Sequence, residues 1–460
     1  MIKPAVPRNE GLPIYGTGAK VPGVRWAVLG GGLAGVTLAR LLHERGHEVR
    51  VFEREPETGG LCRSRSGAGF TFDTGGSHVI FSRDEGALAF MHRALGENRE
   101  VRDRNTKIFY KGRYVKYPFE NGLADLQKED LFFCINEFVK TLISAEKGEL
   151  APPANFRDWM VQTFGRGIAE SYLIPYNEKI WKIPPEEMSC HWVEGRIPRP
   201  PVEDVIRSAI GIETEGYTHQ AVFSYPRKGG IQALVEAIAK PVERFIETGA
   251  TVTSVARKGD GFLVTAGGRE FRADRVVSTI PLPALLPCLA HVPPDVQEAC
   301  DGLRSTALLS VFLGVRGEVP PYSWVYVPSP EIGLFNRVSF PSNYSPAVAP
   351  PGHSAVLAEI TCTREDPVFS RPDGEIVSHV LGGLARMGIL EDPGRVAYAA
   401  VARSPFAYVV YDLGYQERIE VVRRFCEGAG IDLVGRFSRF EYLNMDGIIR
   451  SAMDFVEAQG

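Results

Sequence analysis

RWAVLGGGLAGVTLARLLHERGHEVRVFERE, residues Arg25–Glu55, is the stretch from which the fold is read. Residues 25–29 have the short apolar character of a buried strand. Residues 33–46 follow a helical period, with Leu33, Val36, Leu38, Leu41 and Leu42 among the apolar positions. EVRVFE then alternates as a second strand and ends in Glu53. Gly30, Gly32 and Gly35 form G-x-G-x-x-G between the first strand and the helix. Each glycine has its own physical role. Gly30 permits the tight turn, Gly32 lets a pyrophosphate approach the backbone, and Gly35 lets helix and strand pack closely. The helix N-terminus offers free N–H groups and a partial positive charge to phosphate. Glu53, about twenty residues on, is placed to accept hydrogen bonds from ribose hydroxyls. Strand, helix and acid together predict dinucleotide binding.

The next residues choose between dinucleotides. ETGGLCRS (Glu57–Ser64) supplies a second glycine pair, Gly59–Gly60, followed by Arg63, and FTFDTGGSHVIFS (Phe70–Ser82) follows it. Such a loop suits a chain carried along a pyrophosphate toward a flavin. The pattern resembles the large FAD family that contains amine oxidases, protoporphyrinogen oxidases and UDP-galactopyranose mutases. The resemblance implies FAD contacts from Glu53, Arg54, Gly60, Leu61, Arg63, Gly75 and Gly76. It also implies contacts from the Val255 region of ATVTSVARKGDGFLVTAGGREFRADRVVSTIPL (Ala250–Leu282), where alternating strands surround glycine turns. GRFSRFEYLNMDGIIRSAM (Gly435–Met453) is similar to the family's C-terminal return, with Asn444, Met445 and Asp446 beside the flavin and Asp446 expected as helix cap.

Within that family the chain resembles the eukaryotic-type UDP-galactopyranose mutases along nearly its whole length from residue 25. The resemblance is carried by RNTKIFYKGRYVKYPFENGLADL (Arg104–Leu126) and FRDWMVQTFGRGIAESYLIPYNEKIWKIPPEEMSCHW (Phe156–Trp192). It continues in FSYPRKGGIQALVEAIA (Phe223–Ala239), FNRVSFPSNYSPAVAP (Phe335–Pro350), YDLGYQER and EYLNMD. It implies that Tyr117, Phe119 and Glu120 lie over flavin and sugar, with Trp159 and Asn177 from the helical segment. It implies that Arg337, Tyr344, Tyr415, Tyr442 and Asn444 hold the diphosphate, and that His78 borders the flavin. Of these, Arg337, Tyr344 and His78 are the expected catalytic set. A guanidinium suits the phosphate role because its fork of donors grips two oxygens at once. The chain departs from the mutase pattern at Ile174, where an arginine is usual, at Glu120, where glutamine is usual, and at an inserted Ser77. Two outcomes stay open at Ile174, compensation by Arg166 or a differently seated substrate, and the sugar and base, UDP- or GDP-linked, stay open too.

The implied architecture is α/β: a Rossmann-like FAD-binding domain with a helical insertion and an antiparallel β-sheet substrate domain. The expected parts are residues 24–88, 225–290 and 405–460 for the flavin domain, 125–195 for the helical domain, and 100–120, 196–224 and 291–404 for the sheet. Two or three substructures also follow from 460 residues, 44% hydrophobic, because single cores stop growing at roughly 250–300 residues. The implied reaction interconverts pyranose and furanose forms of a nucleotide-linked hexose. Reduced flavin N5 attacks the anomeric carbon, the nucleoside diphosphate leaves, and the ring reopens and recloses. NAD(P)H is the reductant in view. Two alternatives stay open: an FAD oxidase of an amine or porphyrinogen, and a flavin-free nucleotide-sugar binder.

Composition narrows the partners. The net charge of −4 with mixed signs gives no reason to expect nucleic acid. No apolar run of about 18 residues predicts a membrane span, and the polar residues 1–23 lack a signal-peptide core. The seven cysteines, an odd and scattered set, have no metal-ligand spacing and suit a reducing cytoplasm. Whether the chain forms a homo-oligomer is open.

Overall fold

A computed structural model of the chain describes residues 23–193, 197–214 and 221–459. The N-terminal reading and Arg196, which opens the proline-rich stretch RIPRPPVEDV, lie outside the described residues. Strand β1 (Arg25–Leu29), helix α1 (Leu33–Glu44) and strand β2 (Glu48–Phe52) form where the periodicity places them, with α1 ending two residues early. Its end is set by Gly46, whose φ of +89° no helix can continue.

β1 is the middle of a five-stranded, all-parallel sheet. Its neighbours are β2 and Arg275–Ser278; Ile246–Glu247 and Ile431–Leu433 form the edges. Parallel strands buried on both faces read as continuous apolar runs. Val28, Val51 and Val277 accordingly pack under Leu38 and Leu42 of α1 and under Ala452 and Val456 of the C-terminal helix Met445–Glu457. Fully burying each large aliphatic side chain of such a layer contributes roughly 1.5–3 kcal/mol. The segment 252–273 forms the expected antiparallel strands, Val252–Lys258, Gly261–Ala266 and Arg269–Ala273.

Ser305–Arg316 and His353–Cys362, formed by the apolar runs TALLSVFLGV and SAVLAEITCT, are adjacent long strands of a seven-stranded sheet. It is mixed rather than purely antiparallel, because Trp324–Tyr326 runs parallel to Thr106–Tyr110. Among the described residues of the 196–224 stretch, none joins it. Val202–Ala209 is a helix against the helical layer, and Val222–Pro226 pairs with Arg99–Asp103 in a separate ribbon. The helical layer contains Lys128–Glu146, Phe156–Ile168 and Ile174–Trp181. The first two helices approach so closely that a Cβ at Gly167 would meet the Cys134 Cα at 2.5 Å. No helix among the described residues is long and apolar enough to cross a membrane, and no group of metal-ligating side chains is found among them.

Candidate active site: a glycine-lined cleft with a cationic aromatic end

The first glycine turn is held by its own strands. Gly30 N–H donates to Phe52 carbonyl at 2.9 Å, and Gly31 N–H to Glu53 Oε2 at 2.7 Å. Glu53 Oε1 accepts the Glu55 N–H at 2.9 Å. A Cβ on Gly35 would fall 1.9 Å from the Gly30 carbonyl oxygen, so the close helix–turn packing needs glycine there. Gly31 is a third required glycine, since a Cβ would stand 2.9 Å from that of Glu53. The second glycine pair leans on the first: Gly59 N–H donates to Gly31 carbonyl at 2.9 Å. Gly32 caps α1 without a side chain, and a Cβ there would meet only the Gly60 Cα, at 3.9 Å.

A cavity of about 740 Å³ opens beside this turn. Its wall takes in Gly30, Gly32, Glu53, Arg54, Gly60, Leu61, Arg63 and Gly75. Ala250–Val252 and Asn444, Met445 and Asp446 also line it. A side chain at Gly32 would project into this space, and the α1 N-terminus opens on it. An elongated cleft with bare glycine backbone, exposed helix N–H groups and a ribose-height acid fits a dinucleotide such as FAD.

The loop 75–81 forms the next wall. Gly75 lies on Leu61, where a Cβ would come within 2.3 Å of the carbonyl oxygen. His78 Nδ1 is 2.8 Å from the Gly76 carbonyl, so Nδ1 carries the proton and Nε2 is left as an acceptor. Burial, with Arg337 and Arg436 nearby, pulls the His78 pKa down to about 4, and the ring is neutral. Asp446 does not cap the last helix. Asn444 holds the cap position, while Asp446 accepts from Gly447 N–H (2.8 Å) and Ser82 hydroxyl (2.6 Å).

The far end of the cavity is cationic and aromatic. Tyr117, Trp324, Tyr326, Tyr408 and Tyr442 line it with Arg104, Arg337 and Arg436. The Arg104 guanidinium lies over Tyr117 at 4.6 Å and Trp324 at 4.8 Å, and Arg436 over Tyr442 at 4.8 Å and Tyr408 at 5.0 Å. Stacking fixes these planar cations, and each also donates within the wall, Arg104 Nε to the Thr106 hydroxyl at 3.0 Å and Arg436 Nη1 to the Leu443 carbonyl at 3.3 Å. Burial pushes the Tyr117 and Tyr408 phenols well up, so both are protonated. Arg337 is gripped by the fully buried Glu359 through Nε (2.8 Å) and Nη2 (2.7 Å).

Several expected site residues lie outside this wall. Phe119 is fully buried and stacks on Tyr172 at 5.2 Å, and Glu120 is buried beside it. The YPFENG turn therefore packs with Phe119 and borders the cleft with Tyr117. Trp159 sits between Phe156 and Phe164 in the helical core. Asn177 spends its amide on Leu173 carbonyl and Trp181 Nε1. Tyr415 donates to Phe440 carbonyl at 2.5 Å. Tyr344, also buried, donates to Ser323 carbonyl at 2.9 Å. Gly35 and Gly76 are backing for the wall, and Val255 is core beneath the three-stranded sheet; Val252 lines the cavity in its place. Arg166 does not replace a cation at Ile174. It is exposed on its helix beside Glu137 and Glu170, while Ile174 packs in the helical core. Three further cations line the cavity, Arg104, Arg403 and Arg436, of which Arg403 is paired with Asp373. Arg104 and Arg436 lie in motifs that carry the resemblance, but no spacing marks them as cavity-facing. Glu359 had one signal, a lone acid in the apolar strand SAVLAEITCT.

Fold and cleft define a dinucleotide-binding flavoenzyme scaffold. The chain belongs to the flavin-containing amine oxidoreductase family, whose model matches residues 33–424. A crystal structure of reduced UDP-galactopyranose mutase superposes with a TM-score of 0.86, covering 95% of each chain at 25% identity. A putative protoporphyrinogen oxidase from Exiguobacterium sp. 255-15 superposes at 0.74, covering 96% of this chain and 99% of its own, at 18% identity. Among curated relatives, a dTDP-fucopyranose mutase of Escherichia coli is 23% identical over 42% of this chain and 51% of its own. A putative flavin-containing monoamine oxidase of Mycobacterium tuberculosis is 24% identical over 55% and 56%. The chain spans about half the length of these curated relatives. It is an enzyme of the flavin amine oxidase and mutase superfamily, and membership implies FAD.

Proposed function

We propose that this enzyme is a nucleotide-sugar mutase, interconverting the pyranose and furanose forms of an NDP-hexose. The observation that carries the reading is the charge of the far end of the cleft. Arg104, Arg337 and Arg436 face it, among protonated phenols. The acids in the wall are Glu53 and Glu55 at the dinucleotide end and Asp446, whose two oxygens are engaged by Ser82 and Gly447. Such a site receives a diphosphate and repels a protonated amine. An amine oxidase needs the reverse.

Reduced flavin, when bound, supplies an electron-rich nitrogen nucleophile for an anomeric carbon. The chain's own work is to hold the leaving group. Arginines fixed by stacking and by Glu359 are preorganised donors, which stabilise charge developing on a departing diphosphate without reorganisation at that moment. Tyr442 and Tyr117 exclude water from it. Neutral His78, with its tautomer fixed by the Gly76 carbonyl, offers Nε2 as an acceptor at the wall between the two ends. The seven free thiols suit a cytoplasmic enzyme with NAD(P)H as reductant.

The test is chromatography of products after incubating dithionite-reduced holoenzyme with UDP-, dTDP- and GDP-hexoses. A new furanose peak supports the reading. No conversion of any of them, with peroxide released from an amine instead, overturns it.

A further inference from the structure

Ser77 is engaged at all three of its polar groups. Its N–H donates to Glu359 Oε1 at 3.1 Å, its carbonyl accepts from Arg337 Nη2 at 3.2 Å, and its hydroxyl is 3.0 Å from the Tyr344 hydroxyl. The Tyr344 hydroxyl has one proton, which goes to the Ser323 carbonyl at 2.9 Å. The proton between Ser77 and Tyr344 therefore belongs to Ser77. Ser77 lines the cavity, and with its N–H and O–H both spent it can only accept there. Beside it, Arg337 can only donate, and Nη1 is its one nitrogen not engaged by Glu359 or Ser77.

We propose that Ser77 is a specificity-determining residue, an acceptor-only hydroxyl that takes a hydrogen bond from a sugar hydroxyl while Arg337 engages the neighbouring phosphate. This rests on the mutase reading of the same cleft. The adjacent donor and acceptor match a glycosyl phosphate, which carries an anionic oxygen and a hydroxyl close together. A group that only accepts, placed where that hydroxyl should be, meets Ser77 lone pair to lone pair. Buried polar groups left unpaired in this way give the strongest discrimination a site can offer. Tyr344 acts through Ser77 as a positioning residue, because its phenol oxygen draws the Ser77 proton away from the cavity.

The test uses the reduced holoenzyme and whichever nucleotide sugar it converts. Dissociation constants are measured by calorimetry for that sugar and for its deoxyfluoro analogues, in which fluorine replaces one hydroxyl at a time. One analogue is expected to bind about ten-fold more weakly than the parent, the scale of one hydrogen bond. Ser77→Ala should abolish that difference while keeping the flavin spectrum. Tyr344→Phe should reduce it, since the freed Ser77 hydroxyl can then donate. Equal binding of all analogues by the wild type, or full discrimination retained by Ser77→Ala, overturns the proposal. Failure of the wild type to convert any nucleotide sugar overturns the underlying reading, and this one with it.

Discussion

Arg337 and Glu359 stand directly opposite each other on neighbouring antiparallel strands, and their side chains meet in two parallel hydrogen bonds of 2.8 and 2.7 Å. The carboxylate is fully buried, so the pair is a fixed feature of the sheet rather than a surface contact. Removing the arginine strands a carboxylate away from water. Arg337→Ala should destabilise the protein by about 3–5 kcal/mol, read as a lower denaturant midpoint. Glu359→Ala leaves the arginine unpaired but facing the cavity and should cost less, and the double variant should cost clearly less than the sum of the two. Additive losses would show that the pair is uncoupled.

The cations of the far end should divide sharply. Arg104→Ala and Arg337→Ala are each expected to weaken nucleoside diphosphate binding by about ten-fold or more, the scale of one charge-assisted hydrogen bond. Arg166→Ala should leave it unchanged, because that side chain is exposed and paired with Glu137 of the neighbouring helix and with Glu170. Calorimetric titration of the reduced holoenzyme with UDP or GDP separates the three. An Arg166 effect equal to that of Arg104 would contradict a diphosphate site at this end of the cleft.

Gly35→Ala places a methyl group 1.9 Å from the Gly30 carbonyl oxygen. Backbone cannot yield as a flexible side chain does, so α1 must shift away from the turn that it caps. The expected outcome is soluble protein with little or no visible flavin absorbance. A fully yellow variant would show that the turn tolerates the displacement.

Acid should loosen the fold through His78. Its pKa falls from 6.5 to about 4 in the folded state, so the folded protein resists protonation more than the unfolded chain does. The resulting contribution is fully present above about pH 6.5 and is lost as pH falls toward 4. Its size is at most about 3 kcal/mol, given that one pKa unit corresponds to about 1.4 kcal/mol. His78→Gln should flatten the fall in melting temperature between those limits. It should not abolish the fall, since half-buried His92 is also pulled down to about 4. An unchanged slope would place His78 in water.

Features that depend on neighbours along the chain were legible before any coordinates. The strand–helix–strand unit, its glycine turn and Glu53 follow from periodicity and from backbone that only glycine can supply. Those rules act within about thirty residues, and β1, α1 and β2 formed accordingly. The strands at 305–316 and 353–362 were legible for the same reason. Which members of each motif reach the cleft depends instead on contacts between segments far apart in the chain. Tyr117 and Phe119 are two residues apart, yet one lines the cavity and the other is core. Arg337 meets Glu359 through strand register, and Ser77 joins them from 260 residues away in the chain. Side-chain charge is visible in a sequence, but direction and partner are set by packing between distant segments. No spacing rule records that packing.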